Sequence, residues 1–209
     1  GSPENRARFC KLVMDEVRAA VGPMFPIILR FSTDEFVEGG NDIEATINTL
    51  KYCQEEADIL HASCALNDSI RFQIDANHFP DGWRSYMAKA IKDAFGKPTI
   101  TMGNIRDPKV AEKILEDGDA DFIAIGRGLI AEPEWGNKCK EGRENELRKC
   151  ISCNIGCAGN RIGYNKPIRC TVNPAVLSGE VYKETKVKKT CNVVVIGAGT
   201  AGLEAACTA

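Results

Sequence analysis

The chain has 209 residues, 44% of them hydrophobic, with 27 basic against 29 acidic side chains and a formal net charge of -2. That is enough apolar sequence for a sizeable core and excludes a disordered chain, while balanced charge without long like-charge runs offers no footprint for nucleic acid or an anionic membrane. No run approaches the roughly 18 apolar residues that span a bilayer, and residues 1–20 are amphipathic and charged, unlike a signal peptide.

Taken in order, residues 1 to about 131 alternate helix and strand, the pattern of a parallel sheet with helical crossovers. Ser2 caps a first helix with Pro3 in its opening turn. Phe9, Leu12, Val13, Val17 and Ala20 form an apolar stripe along it, and Gly22-Pro23 ends it. Pro26–Phe31 reads as a buried strand, 43–57 as a helix, Asp58–Ser63 as a second strand and Trp83–Phe95 as a helix stopped by Gly96. Pro98–Met102 is a third strand, Asp107-Pro108 opens a helix that ends at Gly118, and Asp121–Ile125 is a fourth strand. Four strand-helix units fit half of a (β/α)8 barrel, a fold of about 250 residues. Periodicity alone leaves a flavodoxin-like open sheet as the alternative.

Residues 132–149 read as a polar connector, 150–174 as a cysteine segment and 178–190 as a solvated linker holding the basic cluster Lys183–Lys189. Cys191–Ile196 reads as the first strand of a separate domain. The chain starts without Met and stops at Ala209 within a helix pattern, so an interior piece of a longer protein is expected.

Ten cysteines are many for this length, but they do not scatter as a secreted disulfide framework would. Cys150, Cys153, Cys157 and Cys170 form C-x2-C-x3-C-x12-C, with Pro174 close behind. Thiolates delocalise charge over iron, and three close ligands with one remote ligand let a short loop wrap a [4Fe-4S] cube. Structural zinc, which usually takes two separate cysteine knuckles, is the competing reading. The other six cysteines sit mostly in apolar patterns as small hydrophobes, which points to a reducing compartment, the cytoplasm.

A second motif follows the strand at 191–196: Gly197-x-Gly199-x-x-Gly202 opening a helix. Gly197 permits a tight turn, Gly199 a close approach to a pyrophosphate, and Gly202 close packing. The acidic ribose ligand lies about 20 positions further on, beyond Ala209, so FAD and NAD(P)H are not separated by these residues.

Third, Gly103-Asn104 and Gly126-Arg127-Gly128 end the third and fourth strands, where barrels build a phosphate site from backbone N–H groups. Arg127 would add a bidentate contact, unless it pairs with Asp121 or Glu132 on the surface. Arg30, near the C-terminal end of its strand, either stabilises charge on a reduced flavin ring or makes an ordinary ion pair. His61 and His78 read as structural histidines.

The stretches GSPENRARF, LRFS, TMGNIRDPKVAEKILEDGDADFIAIGRGLIAEPEW, CISCNIGCAGNRIGYNKPIRCTVNP and VVVIGAGTAGLEAA occur here in that order. Together they resemble the multidomain NADH:flavin oxidoreductases related to Old Yellow Enzyme, such as 2,4-dienoyl-CoA reductase, enoate reductases, bile-acid-inducible oxidoreductases and trimethylamine dehydrogenase. The resemblance covers nearly the whole chain. It implies the C-terminal half of an FMN-binding barrel over 1–131, a connector and cluster segment over 132–177, and the truncated start of a FAD/NAD(P)-binding domain over 191–209. Arg30 would contact the FMN ring. Gly103, Asn104, Gly126 and Arg127 would hold its phosphate, and the four cysteines would ligate [4Fe-4S].

Electrons would pass from NAD(P)H through FAD and the cluster to FMN, to reduce an activated C=C bond of an enoate or enoyl thioester. The amine dehydrogenase relatives run the chain in reverse, and a zinc-stabilised interaction module is the alternative from another class. The reductases' substrate histidines and tyrosine proton donor belong to the barrel half that would precede Gly1, so no catalytic residue is assigned. Relatives often carry a glycine-rich turn where this chain has Cys64-Ala65-Leu66. A small-molecule substrate is expected, with no nucleic acid or membrane partner, and a homo-oligomeric parent is compatible with the resemblance. The 209-residue piece alone is expected to be inactive.

Overall fold

The computed structural model describes residues 1–179 and 187–209. It divides into two compact units, Gly1–Leu177 and Ser178–Ala209. Of the expected linker and its basic cluster, residues 180–186 lie outside the described residues.

The first unit opens with α1 (Pro3–Val21), whose Ser2 hydroxyl accepts from Asn5 N–H at 3.3 Å and whose end is Gly22 at φ 80. Ala7, Cys10 and Met14, spaced i, i+3, i+7, face the core. The expected stripe does not: Phe9, Leu12, Val13, Val17 and Ala20 are exposed, Phe9 by 78%. Helical periodicity identifies an apolar face but not its partner, and the sheet and α2 (Ile43–Leu50) meet α1 on the smaller residues. The helix expected over 43–57 stops at Leu50, where Cys53 N–H and Gln54 N–H both turn back onto Leu50 O at 3.0 Å. The turn keeps Cys53 on the core side, which is why its apolar rhythm looked helical.

Four parallel strands follow the expected segments with trimmed ends: β1 (Ile28–Ser32), β2 (Ile59–Ser63), β3 (Thr99–Thr101) and β4 (Phe122–Ile123). They pair in the order β1-β2-β3-β4, in register at Arg30↔His61, Leu60↔Thr99 and Thr101↔Ile123. A short α3 (Ile70–Gln73), unassigned from sequence, precedes α4 (Ser85–Phe95), which ends at Gly96 with φ 63. Then α5 (Pro108–Glu116) starts behind the Asp107 cap.

Leu29, Phe31, Leu60, Ala62 and Ile123 share the sheet face that packs against α1, α2, α4 and α5. The opposite face, with Ile28 52% and Phe122 48% exposed, carries no helix among the described residues. Sequential winding with the helices on one face is the construction of a barrel wall. A doubly wound sheet reverses strand order and is covered on both faces, so the flavodoxin-like alternative falls.

The connector is more ordered than its polarity suggested: α6 (Arg127–Ala131) leads into it and α7 (Trp135–Lys140) lies within it. A π-helical stretch, Ile155–Gly163, carries the third cysteine. In the second unit α8 (Thr200–Thr208) is the helix expected after the glycine turn. Cys191–Ile196, expected as a strand, forms no ladder among the described residues, and Val194 and Ile196 are exposed. A strand exists through hydrogen bonds to a neighbour, and among the described residues of this unit none pairs with this segment.

Candidate functional site

The open sheet face places Arg30 beside His61. Arg30 Nη2 donates to Ser63 Oγ at 3.2 Å, and Ser63 Oγ lies 3.8 Å from Met102 Sδ. The ion pair considered for Arg30 is absent among the described residues. His61 Nε2 is buried without a partner. Burial first, then the Arg30 charge, holds its imidazole below the ordinary value.

At the strand ends, Gly103 (φ 117) and Asn104 (φ 47) turn the chain after β3, and Gly126, Arg127 and Gly128 follow β4. With Arg84, Met102, Ile105 and Ala124 they enclose a cavity of about 300 Å³. Glycine is required at 103: a Cβ there would meet Arg84 Cδ at 2.9 Å, in a left-handed backbone. The Asn104 amide is fully used. Its Nδ2 donates to Ala76 O and Phe79 O at 3.0 and 3.1 Å, and its Oδ1 accepts from Arg127 Nη2 and Ser152 Oγ at 3.1 and 2.8 Å.

Arg127 is paired with neither Asp121 nor Glu132, which bind Lys92 and Lys138. Instead its Nη1 donates to Asp75 O and Asn154 Oδ1, both at 2.5 Å, and its Nη2 reaches Asp75 Oδ2 at 3.4 Å. The guanidinium expected to grip a ligand is thus fixed by the protein, and what it offers the cavity is chiefly charge. Asp75 is the residue sequence reasoning missed. It is 2% exposed, accepts from Trp83 Nε1 at 3.0 Å and forms a buried ion pair with Arg84. A lone Asp in an unassigned loop carries no motif, and only its burial reveals it.

The four cysteines line one narrow cavity with Arg127, Ile130, Gly156 and Arg169. Ser152 (φ 49) and Asn154 (φ 59) bend the loop on either side of Cys153. Gly156 O accepts from Arg169 N–H at 2.7 Å and draws Cys170 back to the loop, and a Cβ on Gly156 would sit 2.6 Å from Arg169 O. Burial alone would raise the Cys153 thiol, but the Thr171 hydroxyl at 3.2 Å and the N–H groups of Ile155 and Cys153 outweigh it and lower the value. Among the described residues no three His, Cys, Asp or Glu side chains converge closely enough to hold a metal ion. The thiols ring a cavity and do not meet at a point.

In the second unit, Gly197 stands at φ 112 and Gly199 caps α8. A Cβ on Gly202 would lie 1.9 Å from Gly197 O, so the turn and helix approach as only glycine allows.

A sequentially wound parallel sheet with a glycine-lined cationic cavity at its C-terminal strand ends defines an α/β protein with the winding of a (β/α)8 barrel. Residues 1–146 match the NADH:flavin oxidoreductase / NADH oxidase family, and the chain belongs to that family. It is 50% identical over 213 residues to an NADH oxidase of Thermoanaerobacter brockii, covering 100% of this chain and 32% of the relative. It is 32% identical over 221 residues to a cinnamate reductase of Clostridium sporogenes, covering 99% and 33%. The solved structure of 2-naphthoyl-CoA reductase with 2-naphthoyl-CoA superposes with a TM-score of 0.92 at 30% identity, covering 100% of this chain and 32% of that one. The chain therefore spans about a third of the length of these relatives. No helix among the described residues is long and apolar enough to cross a membrane.

Proposed function

We propose that this chain is the central part of an NAD(P)H-dependent oxidoreductase with FMN, [4Fe-4S] and FAD that reduces the activated C=C bond of an enoate or enoyl thioester. The observation that carries the reading is a shared wall: Arg127 and Cys150 line both the strand-end cavity and the four-cysteine cavity. Two redox groups seated there would be neighbours. When bound, FMN supplies hydride chemistry at the substrate, and the cluster and FAD supply the relay from NAD(P)H.

The chain's own residues hold and tune these groups. The turns at Gly103-Asn104 and Gly126-Arg127 would hold the FMN phosphate with backbone N–H groups and positive charge, and Arg30 on β1 would contact the ring. A wall with three arginines, Arg84, Arg106 and Arg127, of which Arg106 is answered by Asp81, against the single lining carboxylate of Asp75 suits an anion. Cys150, Cys153, Cys157 and Cys170 ring the cluster. Their C-x2-C-x3-C-x12-C spacing, three close ligands and one remote, supports a cube over a structural zinc with two separate knuckles. Gly197, Gly199 and Gly202 form the pyrophosphate turn of the FAD/NAD(P) region, though the absent ladder at 191–196 leaves that unit the weaker match. The ten unbridged cysteines suit the cytoplasm.

The test is an absorption spectrum of the anaerobically purified full-length protein before and after dithionite, with iron, sulfide and zinc quantified. Flavin bands, a bleachable shoulder, about four irons per chain and NAD(P)H-dependent reduction of cinnamate or an enoyl thioester are expected. Zinc without flavin overturns the reading. Flavin and iron with amine-dependent reduction of an acceptor would replace the ene-reductase by an amine dehydrogenase.

A further inference from the structure

The two residues that flank Cys153 are tied by their side chains to the wall of the strand-end cavity, and both hold a left-handed backbone, Ser152 at φ 49 and Asn154 at φ 59. A residue other than glycine keeps such a conformation only where its surroundings impose it, and such residues gather at functional sites. Ser152 is 2% exposed, and its Oγ donates to Asn104 Oδ1 at 2.8 Å. Asn154 Oδ1 accepts from Arg127 Nη1 at 2.5 Å, while its Nδ2 donates to Ile74 O and Asp75 O at 3.3 and 3.2 Å. Asn104, itself at φ 47, accepts from Arg127 Nη2 at 3.1 Å. Three left-handed residues, two of them 48 positions apart, thus close one network on a single guanidinium.

This network crosses from one cavity to the other. Ser152 lines the strand-end cavity with Asn104 and Arg127, and Asn154 lines the four-cysteine cavity with Arg127 and Cys153. The remote arm of the cysteine segment is fastened to the helix that Arg127 opens: Asn173, 3% exposed, donates through Nδ2 to Ile130 O of α6 at 2.9 Å. Asn165 supplies the contrast. It is left-handed too, at φ 47, but it accepts from Arg161 Nη1 within the cysteine segment at 2.8 Å and lines neither cavity.

We infer that Ser152 and Asn154 are positioning residues that latch the loop of the first three cysteines onto the flavin cavity, so that the cluster and the flavin each favour the binding of the other. The inference rests on the FMN and [4Fe-4S] reading above and deepens it. A group filling the strand-end cavity fixes Asn104 and Arg127, and through them the residues on either side of Cys153. A cluster held by the cysteines fixes the same network from the other side. Coupling of this kind is reciprocal by thermodynamic necessity, and hydrogen-bond partners outside the ligand set orient the ligands themselves.

The experiment compares FMN dissociation constants, read by quenching of flavin fluorescence, for flavin-depleted full-length protein with its cluster intact and after iron removal by a chelator. In wild type the cluster is expected to tighten FMN by roughly 5- to 150-fold, the usual span for two coupled sites. Asn154→Gly removes the amide while suiting the left-handed backbone, so the chain folds and the ratio of the two constants falls to near unity. Ser152→Gly removes the other tie and is judged by the same ratio, which decides the matter if Asn154→Gly takes up no iron. Asn165→Gly makes the same backbone change in the same segment and keeps the wild-type ratio. A ratio near unity in wild type, a wild-type ratio in both latch variants, or an equal loss in Asn165→Gly overturns this inference alone. Wild-type protein that binds no FMN or no iron overturns both this inference and the function above.

Discussion

Asp75 organises more of the site than any residue the motifs name. Its side chain takes the Arg84 guanidinium and the Trp83 indole, its carboxylate and carbonyl take Arg127, and its carbonyl also takes Asn154 Nδ2 at 3.2 Å. One buried carboxylate thus connects the α3–α4 loop, the turn after β4 and the cysteine loop. Gly156 plays the corresponding part for the cysteines, since its missing side chain lets the 169–170 segment close over the loop. We expect Gly156→Ala to push that segment outward and move Cys170 from the other three thiols. Iron content of the purified full-length protein should fall below half of wild type with flavin content kept. Retention of full iron would show that the close approach at Gly156 is dispensable. Ala65 stands at φ 71 beside the buried Cys64, whose thiol burial pushes up to about 11. That thiol is a packing group and not a nucleophile.

At the scale of elements, the ties between helices and strands are polar as well as apolar. Asp58, ahead of β2, accepts from Ile27 N–H and from Arg18 Nη2, each at 2.7 Å, and so fastens the end of α1 to the start of β1. The Ile27 N–H first, and Arg18 second, holds its carboxyl below the usual range. Because the folded value lies under the unfolded one of about 3.9, this stabilisation is complete above that pH and is lost as pH falls through the folded value. Wild type should therefore lose more stability than Asp58→Asn between about pH 5 and pH 3, by less than about 1 kcal/mol for so exposed a pair. Urea midpoints across that range check it, and parallel curves would show that the bond contributes nothing. The helix starts were legible because Ser2-Pro3 and Asp107-Pro108 are local chemistry. Helix length at 43–57 was not, because a turn can preserve the spacing of Ile47, Leu50 and Cys53 without a helix.

For the whole molecule, the informative feature is what the sheet leaves uncovered. One face exposes Ile28, Arg30 and Phe122 to solvent, α1 shows Phe9 and Leu12, and the outer edges of β1 and β4 have no ladder partner among the described residues. Apolar patches and open edges of this kind promote association. The 209-residue polypeptide expressed alone is accordingly expected to sediment as oligomers or aggregates, with no turnover of NAD(P)H. A monodisperse monomer in analytical ultracentrifugation would contradict this.

The sequence by itself determined the alternation of strands and helices, the glycine-bearing strand ends, the four-cysteine spacing and the glycine turn that opens α8, since each is written in residues close together in the chain. Only the tertiary structure decided that the strands wind in order with helices on one face, that Arg127 is held by Asp75 and not by Asp121 or Glu132, and that Arg84 reaches the same cavity. Those outcomes depend on burial and on partners tens of residues apart, and neither periodicity nor motif spacing contains that information.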